Sequence, residues 1–262
     1  MRADVRRLVT LSFNEGKFPD KYKTTSVTPL LKKQGLDTDS LGNYRPVSNL
    51  HTISKIVERV FMTRLVEHVK TSPNYNRFQS AYRRGHSTET ALLRLLNDVY
   101  GAANDGFRTV LLQLDLSAAF DTIDISTVLR RLRYSFGISG PALNWMCRTW
   151  LVEHSLCESV RNNHLELIVS TESLRAISVL GPMLFTLYTS AVGGVISSFG
   201  VTHTQYADDT QLYVALKDGS LSILTECIKA LHHWLDLNGL CLNPEKTEAV
   251  VVGTSERQKD NV

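Results

Sequence analysis

An α+β fold, with helices packed on an antiparallel sheet, is what the order of patterns along this 262-residue chain predicts. Three observations carry that expectation. TVLLQLDL, residues 109–116, is nearly continuous apolar sequence rich in chain-extending residues, as in a central strand. VTHTQYA and TQLYVAL, residues 201–207 and 210–216, are two short strands meeting at adjacent acids, which is a hairpin pattern. Around them stand runs with apolar residues at helical spacing, the clearest over residues 53–69 and 221–238.

The elements follow in order. TTSVTPLL, residues 24–31, reads as a strand ending at Lys32 and Lys33, followed by the polar loop QGLDTDSLGN and then YRPVSNL. From Thr52, the residues Ile53, Ile56, Val57, Val60, Phe61, Leu65 and Val69 mark one helix face, and Pro73 ends the pattern. Ser87 caps a second helix, TETALLRLLNDVYGAAN, with Glu89 in its first turn, where the positive dipole end favours an acid. Further helices are expected near residues 125–136, from Pro141 to Val152 and from Leu180 to Gly200. The helix over 221–238 leads through the turn NPEK to a last strand, TEAVVVG, and a loose tail.

Composition bounds the function classes. A chain that is 43% hydrophobic and 21% charged is not disordered. Net charge is only +3, but residues 1–90 carry 16 basic and 8 acidic side chains, and residues 91–262 carry 13 and 18. The first part suits phosphates and the second suits cations, unless the imbalance is simply uneven solvated surface. Cys147, Cys157, Cys227 and Cys241 form no C-x-x-C pair and read as reduced packing residues. The charged start lacks a secretory h-region, so an intracellular protein, in nucleus or cytoplasm and not secreted, is expected. Val179 to Val201 holds no charge over 23 residues, yet its proline, hydroxyls and glycines point to a buried or ligand-facing helix rather than a membrane span.

Adjacent acids at a hairpin tip, Asp208 and Asp209, repel one another, and no glycine stands there for the positive φ that tight turns prefer. Something must compensate, and a divalent cation with a taste for hard oxygen ligands would. Asp115 poses a similar problem, because an unpaired carboxylate in an apolar strand is costly to bury. If its strand neighbours the hairpin, three acids converge and suit two metals about 3.5–4 Å apart, as in phosphoryl chemistry. Ordinary turn acids and a satisfied structural aspartate are the alternative.

LDLSAAFDTID (114–124) and YADD (206–209) resemble motifs A and C of the reverse transcriptase palm. SNLHTISKIVERV, FQSAYRRGHSTETALLRLLND, SVLGPMLFTLY and LNPEKTE look like the corresponding stretches of non-LTR (LINE-type) retrotransposon polymerases. The resemblance runs in order from about Phe13 to Val252, and six motifs in series outweigh any single one. It implies a right-hand polymerase fold with fingers and palm, the palm a ferredoxin-like antiparallel sheet with packed helices. It also implies RNA-directed DNA polymerase activity on an RNA template and DNA primer with a deoxynucleoside triphosphate. The cofactor implied is Mg2+, two ions, with Mn2+ as a substitute.

By the same resemblance, Asp115 and Asp208 would ligate the metals and Asp209 would complete the acidic cluster. Phe120 would be the steric gate that excludes a ribose 2′-hydroxyl, if it is not a core aromatic. Lys32, Lys33 and Arg45 would contact the triphosphate, with the Arg45 guanidinium suited to bidentate phosphate binding. Lys246 would protonate departing pyrophosphate, unless it is a solvated turn lysine, and Tyr206 would support the hairpin near the primer end.

The expected division is a fingers-type region over 1–108, a palm over 109–253, with packing against the fingers as the alternative for 125–170, and a tail over 254–262. An upstream endonuclease and a downstream thumb, which the resemblance implies for a full-length parent, find no room in this chain. Arg175, Ala176 and Ile177 stand where the family carries Pro-Gln-Gly, and Ile125 replaces a histidine. A branched isoleucine lacks the clearance that glycine gives a bound nucleotide. A catalytically decayed domain that at most binds nucleic acid is the alternative.

Overall fold

The computed structural model describes residues 2–23, 25–40, 43–117, 123–150 and 179–253. It divides into two compact units, residues 1–73 with 123–187 and residues 74–122 with 188–262.

The first unit holds helix α1 (Arg2–Asn14), strands β1 (Thr25–Leu31) and β2 (Tyr44–Leu50), and helices α2 (Thr52–Val69), α4 (Ile125–Tyr134) and α5 (Gly140–Trp150). β1 and β2 pair antiparallel from Thr25↔Leu50 to Leu31↔Tyr44. Asp124 starts α4 by accepting the backbone N–H groups of Ser126 and Thr127, which satisfies two of the donors a helix start leaves open. The core forms around Trp145, which is fully buried. Its ring stacks on Phe61 at 4.2 Å between centroids, and Phe13 meets it edge-on at 5.6 Å. The indole N–H donates to Ser12 Oγ at 2.9 Å, and Ser12 in turn donates to the Lys17 carbonyl at 2.6 Å. Burying the indole therefore leaves no polar atom unpaired.

The charged start of the chain is thus a helix that the sequence reading did not anticipate. Its apolar residues, Phe13 above all, find their partner in an element more than a hundred residues away.

The second unit is built on a four-stranded antiparallel sheet in the order β5-β6-β3-β8. β3 (Thr109–Leu114) lies between β6 (Asp209–Ala215) and β8 (Glu248–Val252), and β5 (Thr202–Tyr206) closes the hairpin with β6. Helix α3 (Thr88–Asn104) starts at Ser87 in a reciprocal capping box with Thr90. It packs Leu95 and Val99 against Leu111 and Tyr213 of the sheet, and the Tyr213 hydroxyl donates to Asp98 at 2.6 Å.

The apolar stretch expected as one helix to Gly200 is two: α6 (Gly181–Tyr188) and α7 (Ser190–Ser198), broken at Thr189. Among the described residues no helix is long and apolar enough to cross a membrane. Helix α8 (Ser220–Leu237) buries Leu224, Cys227, Leu231 and Leu235, the face its spacing predicts.

Cys147 is disulfide-bonded, against the reading of four reduced thiols, whereas Cys227 and Cys241 are free. Bridging depends on Cβ proximity, which spacing along the chain does not encode.

One packing contact carries a prediction. A Cβ on Gly193 of α7 would lie 2.6 Å from Asn76 Nδ2 and 2.8 Å from its Oδ1. Asn76 cannot yield, since its amide donates to Gln205 Oε1 and its oxygen accepts the Phe78 N–H at 3.0 Å. Gly193→Ala is expected to cost about 1–3 kcal/mol by overpacking, offset in part by about 1 kcal/mol of helix propensity. The denaturation midpoint measures it, and a raised midpoint would refute the close fit.

Candidate active site

Asp115 immediately follows β3, whose last pair with β6 is Leu114↔Thr210. One further step in that register faces Asp209, the first residue of β6. Tyr206 and Asp209 close the β5–β6 hairpin as a pair, so the turn residues are Ala207 and Asp208. The turn thus falls one residue earlier than the pattern of two adjacent acids suggested. The three carboxylates sit at one end of two neighbouring strands.

Their electrostatics agree with that placement. Crowding by neighbouring protein, then the charges of Asp208 and Asp115, hold the Asp209 carboxyl above the ordinary aspartate range. This holds although Asp209 is exposed by area. Asp115 is partly buried, with its side chain 24% exposed, and Lys246 Nζ lies 3.5 Å from its Oδ2. Asn243 secures the same residue twice, donating its N–H to the Asp115 carbonyl at 2.8 Å and its Nδ2 to Oδ2 at 3.3 Å. The NPEK turn, a 3-10 helix over Pro244–Lys246, is tied there by the short ladder of β4 (Leu116–Ser117) with β7 (Cys241–Leu242). Lys246 and Asp115, 131 positions apart in the sequence, therefore lie side by side at this end of the sheet.

Carboxylate oxygens are the hard donors that suit a divalent cation, and the mutual repulsion of three acids is what such an ion relieves. In chemical type the residues fit the group. Among the described residues, however, no three His, Cys, Asp or Glu side chains are gathered into a set that could hold a metal ion.

Other expected site residues belong to the first unit or lie outside the described residues. Lys32 and Lys33, both exposed, follow β1, and Arg45 pairs with Leu30 in β2, so all three belong to the first unit. Phe120, Arg175, Ala176 and Ile177 lie outside the described residues. Ile125 is buried at the start of α4.

Two residues went unremarked in the sequence beyond their place in FQSAYRRGHSTE. Tyr82 takes a positive φ of 58°, unusual for a residue with a side chain. Desolvation by neighbouring protein, then the charge of Asp208 and the proximity of Tyr206, raise its phenol above the ordinary range, although the residue is 43% exposed. Gln79 is 1% exposed and touches the tip directly. Neither carries a local signal, since tyrosine and glutamine are unremarkable in a loop.

An antiparallel sheet with packed helices and acids at its hairpin tip is a polymerase palm-like fold. The chain belongs to the reverse transcriptase (RNA-dependent DNA polymerase) family, whose pattern matches residues 31–261. Reverse transcriptases generally use divalent metals. The chain is 26% identical over 251 residues to the RNA-directed DNA polymerase from mobile element jockey of Drosophila melanogaster, covering 92% of this chain and 27% of that protein. It is 24% identical to the Pol polyprotein from the type-1 retrotransposable element R2 of Popillia japonica, covering 95% of this chain and 35% of that one. It is thus homologous to non-LTR retrotransposon polymerases, and it spans about a third or less of either relative.

Among solved structures, apo telomerase from Candida tropicalis, truncated from its C-terminal domain, superposes with a TM-score of 0.55 at 12% identity. That match covers 94% of this chain and 54% of the telomerase. Telomerase from Candida albicans in complex with a TWJ fragment of telomeric RNA gives 0.57 at 10% identity, covering 96% and 46%. At that identity the likeness is one of fold.

Proposed function

We propose that this chain carries the fingers and palm of an RNA-directed DNA polymerase of a non-LTR retrotransposon. It joins deoxynucleoside triphosphates to a primer 3′-hydroxyl opposite an RNA template. The observation that carries this reading is the adjacency of Asp115, at the end of β3, to the Asp208–Asp209 hairpin of the same sheet. It rests also on the family to which the chain belongs.

In this reading residues 1–108 are the fingers-type region and residues 109–253 the palm. Asp115 and Asp208 hold magnesium, two ions, with Asp209 completing the acidic end of the sheet. Bound there, the metal supplies Lewis acidity that lowers the pKa of the primer hydroxyl and neutralises charge on the phosphates. The 3′-hydroxyl gives its proton to solvent, and its oxygen forms the bond to the α-phosphorus as the bond to pyrophosphate breaks. Lys246, which already lies against Asp115, gives its proton to the departing pyrophosphate. Lys32, Lys33 and Arg45 bind the triphosphate, Phe120 screens the sugar, and Tyr206 supports the hairpin beside the primer end. A full-length parent adds endonuclease and thumb regions, and more phosphate contacts with them.

A second reading has one observation in its favour. Arg175, Ala176 and Ile177 replace the trio Pro-Gln-Gly, so a catalytically decayed domain that at most binds nucleic acid fits that segment. Primer extension on an RNA template with magnesium, run beside the chain with Pro-Gln-Gly restored at 175–177, separates the two. Incorporation by the chain as it stands supports the polymerase, and incorporation only after restoration marks this copy as decayed. Nucleic-acid binding without incorporation by both supports the decayed domain.

A further inference from the structure

The turn between β5 and β6 has a cost that sequence alone left without a remedy other than a cation. Ala207, the first turn residue, takes a φ of 57°. Left-handed backbone is natural for glycine and disfavoured for a residue with a Cβ. The adjacent acids add repulsion, so the turn does not hold this shape unaided.

One side chain binds it. Gln79 Oε1 accepts the Ala207 N–H at 3.0 Å, and Gln79 Nε2 donates to the Ala207 carbonyl at 3.0 Å. The same Oε1 accepts the Ala81 N–H at 3.0 Å, which fixes the amide itself. Its backbone is fixed as well: the Ser80 N–H donates to the Gln205 carbonyl at 2.9 Å, and the Gln205 N–H to the Phe78 carbonyl at 3.1 Å. Residues 78–80 thus lie along the outer edge of β5, and Gln79 reaches from there to the tip. A carboxamide offers both an acceptor and a donor, so it can bind the two backbone groups of one residue. Glutamate lacks the donor and leucine lacks both.

We propose that Gln79 is a positioning residue for polymerisation, clamping Ala207 in its left-handed conformation so that Tyr206 and Asp208 on either side keep their places relative to Asp115. This rests on the polymerase reading for its kinetic consequence, though the clamp itself does not. Without the clamp Ala207 relaxes toward negative φ and Asp208 turns away from the end of β3.

The test uses Gln79→Leu, Gln79→Glu and the double variant Gln79→Leu with Ala207→Gly. Glycine adopts positive φ without help, so it restores the turn if Gln79 acts through the turn. It restores nothing if Gln79 merely staples residues 78–80 to β5. Two readouts are taken: the Ala207 backbone torsion from its amide-to-Hα coupling and carbon shifts, and steady-state primer extension.

Gln79→Leu is expected to move the residue 207 torsion to negative φ and lower kcat on the order of 100-fold, the scale of a misplacement of about 1 Å. KM for the nucleotide should change less than kcat does, because Lys32, Lys33 and Arg45, the proposed triphosphate contacts, are left untouched. Gln79→Glu should fall between, and the double variant should recover most of kcat. A torsion that stays positive in Gln79→Leu overturns the clamp, as does loss of activity that Ala207→Gly does not rescue. If the wild-type chain makes no product, the polymerase reading falls, and the torsion measurements on the three variants still decide the clamp.

Discussion

Replacing Asp115 by asparagine is expected to reduce primer extension on the order of 100- to 1,000-fold or more, the scale of removing one group that stabilises charge in a transition state. Stability should barely change. Asparagine keeps an oxygen for the Asn243 amide, and the backbone bond from Asn243 to residue 115 is untouched. The Lys246 contact it weakens involves a lysine side chain that is 69% exposed, where ion pairs contribute little. Removing one of three like charges even relieves Asp209. Loss of synthesis with an unshifted denaturation midpoint is thus the signature of a metal-binding acid. A lowered midpoint with proportional loss would mark Asp115 as structural, and full synthesis by the variant would remove it from the active site altogether.

The second large effect concerns pH. Glu58 of α2 is 2% exposed and accepts the Val179 N–H at 3.0 Å. Burial raises its pKa from 4.5 to about 7, against the opposing pull of the Val179 and Leu180 N–H groups and of Lys55. The folded chain therefore keeps a proton that the unfolded chain releases. The contribution of Glu58 to stability is whole below pH 4.5 and is lost as pH rises through 7, a loss of about 3 kcal/mol.

His203, fully buried on β5, behaves oppositely. Burial, then the charges of Arg94 and Arg77, depress its pKa from 6.5 to about 4, so its contribution is whole above pH 6.5 and fades as pH falls toward 4. Glu58→Gln keeps the acceptor for Val179 and has nothing to titrate. Denaturant unfolding between pH 4.5 and 8 should show the variant gaining on the wild type as pH rises, by about 3 kcal/mol at the upper end. Parallel curves would mean that Glu58 does not keep its proton in the fold.

Much of this architecture was legible in advance. The helices over Thr52–Val69, Thr88–Asn104 and Ser220–Leu237 and the strands bearing the acids follow from periods of 3.6 and 2 in apolar residues, which are local properties. The helix Arg2–Asn14 was not legible, because its dense charge hides an apolar side whose partner is Trp145. The break at Thr189 was hidden likewise, since an uncharged run carries no mark where one helix yields to another.

For the site the division is sharper. Sequence alone singled out Asp115, Asp208, Asp209 and Lys246, because acids in apolar or crowded settings are costly wherever the chain goes, and because their motifs resemble those of a known family. Only the tertiary structure brought Lys246 to Asp115 and revealed Gln79 at Ala207. Those are contacts between residues some 130 positions apart, an ion pair and two side-chain hydrogen bonds made from outside the named strands. Hydrogen bonds at that separation leave no trace in the local pattern of either partner.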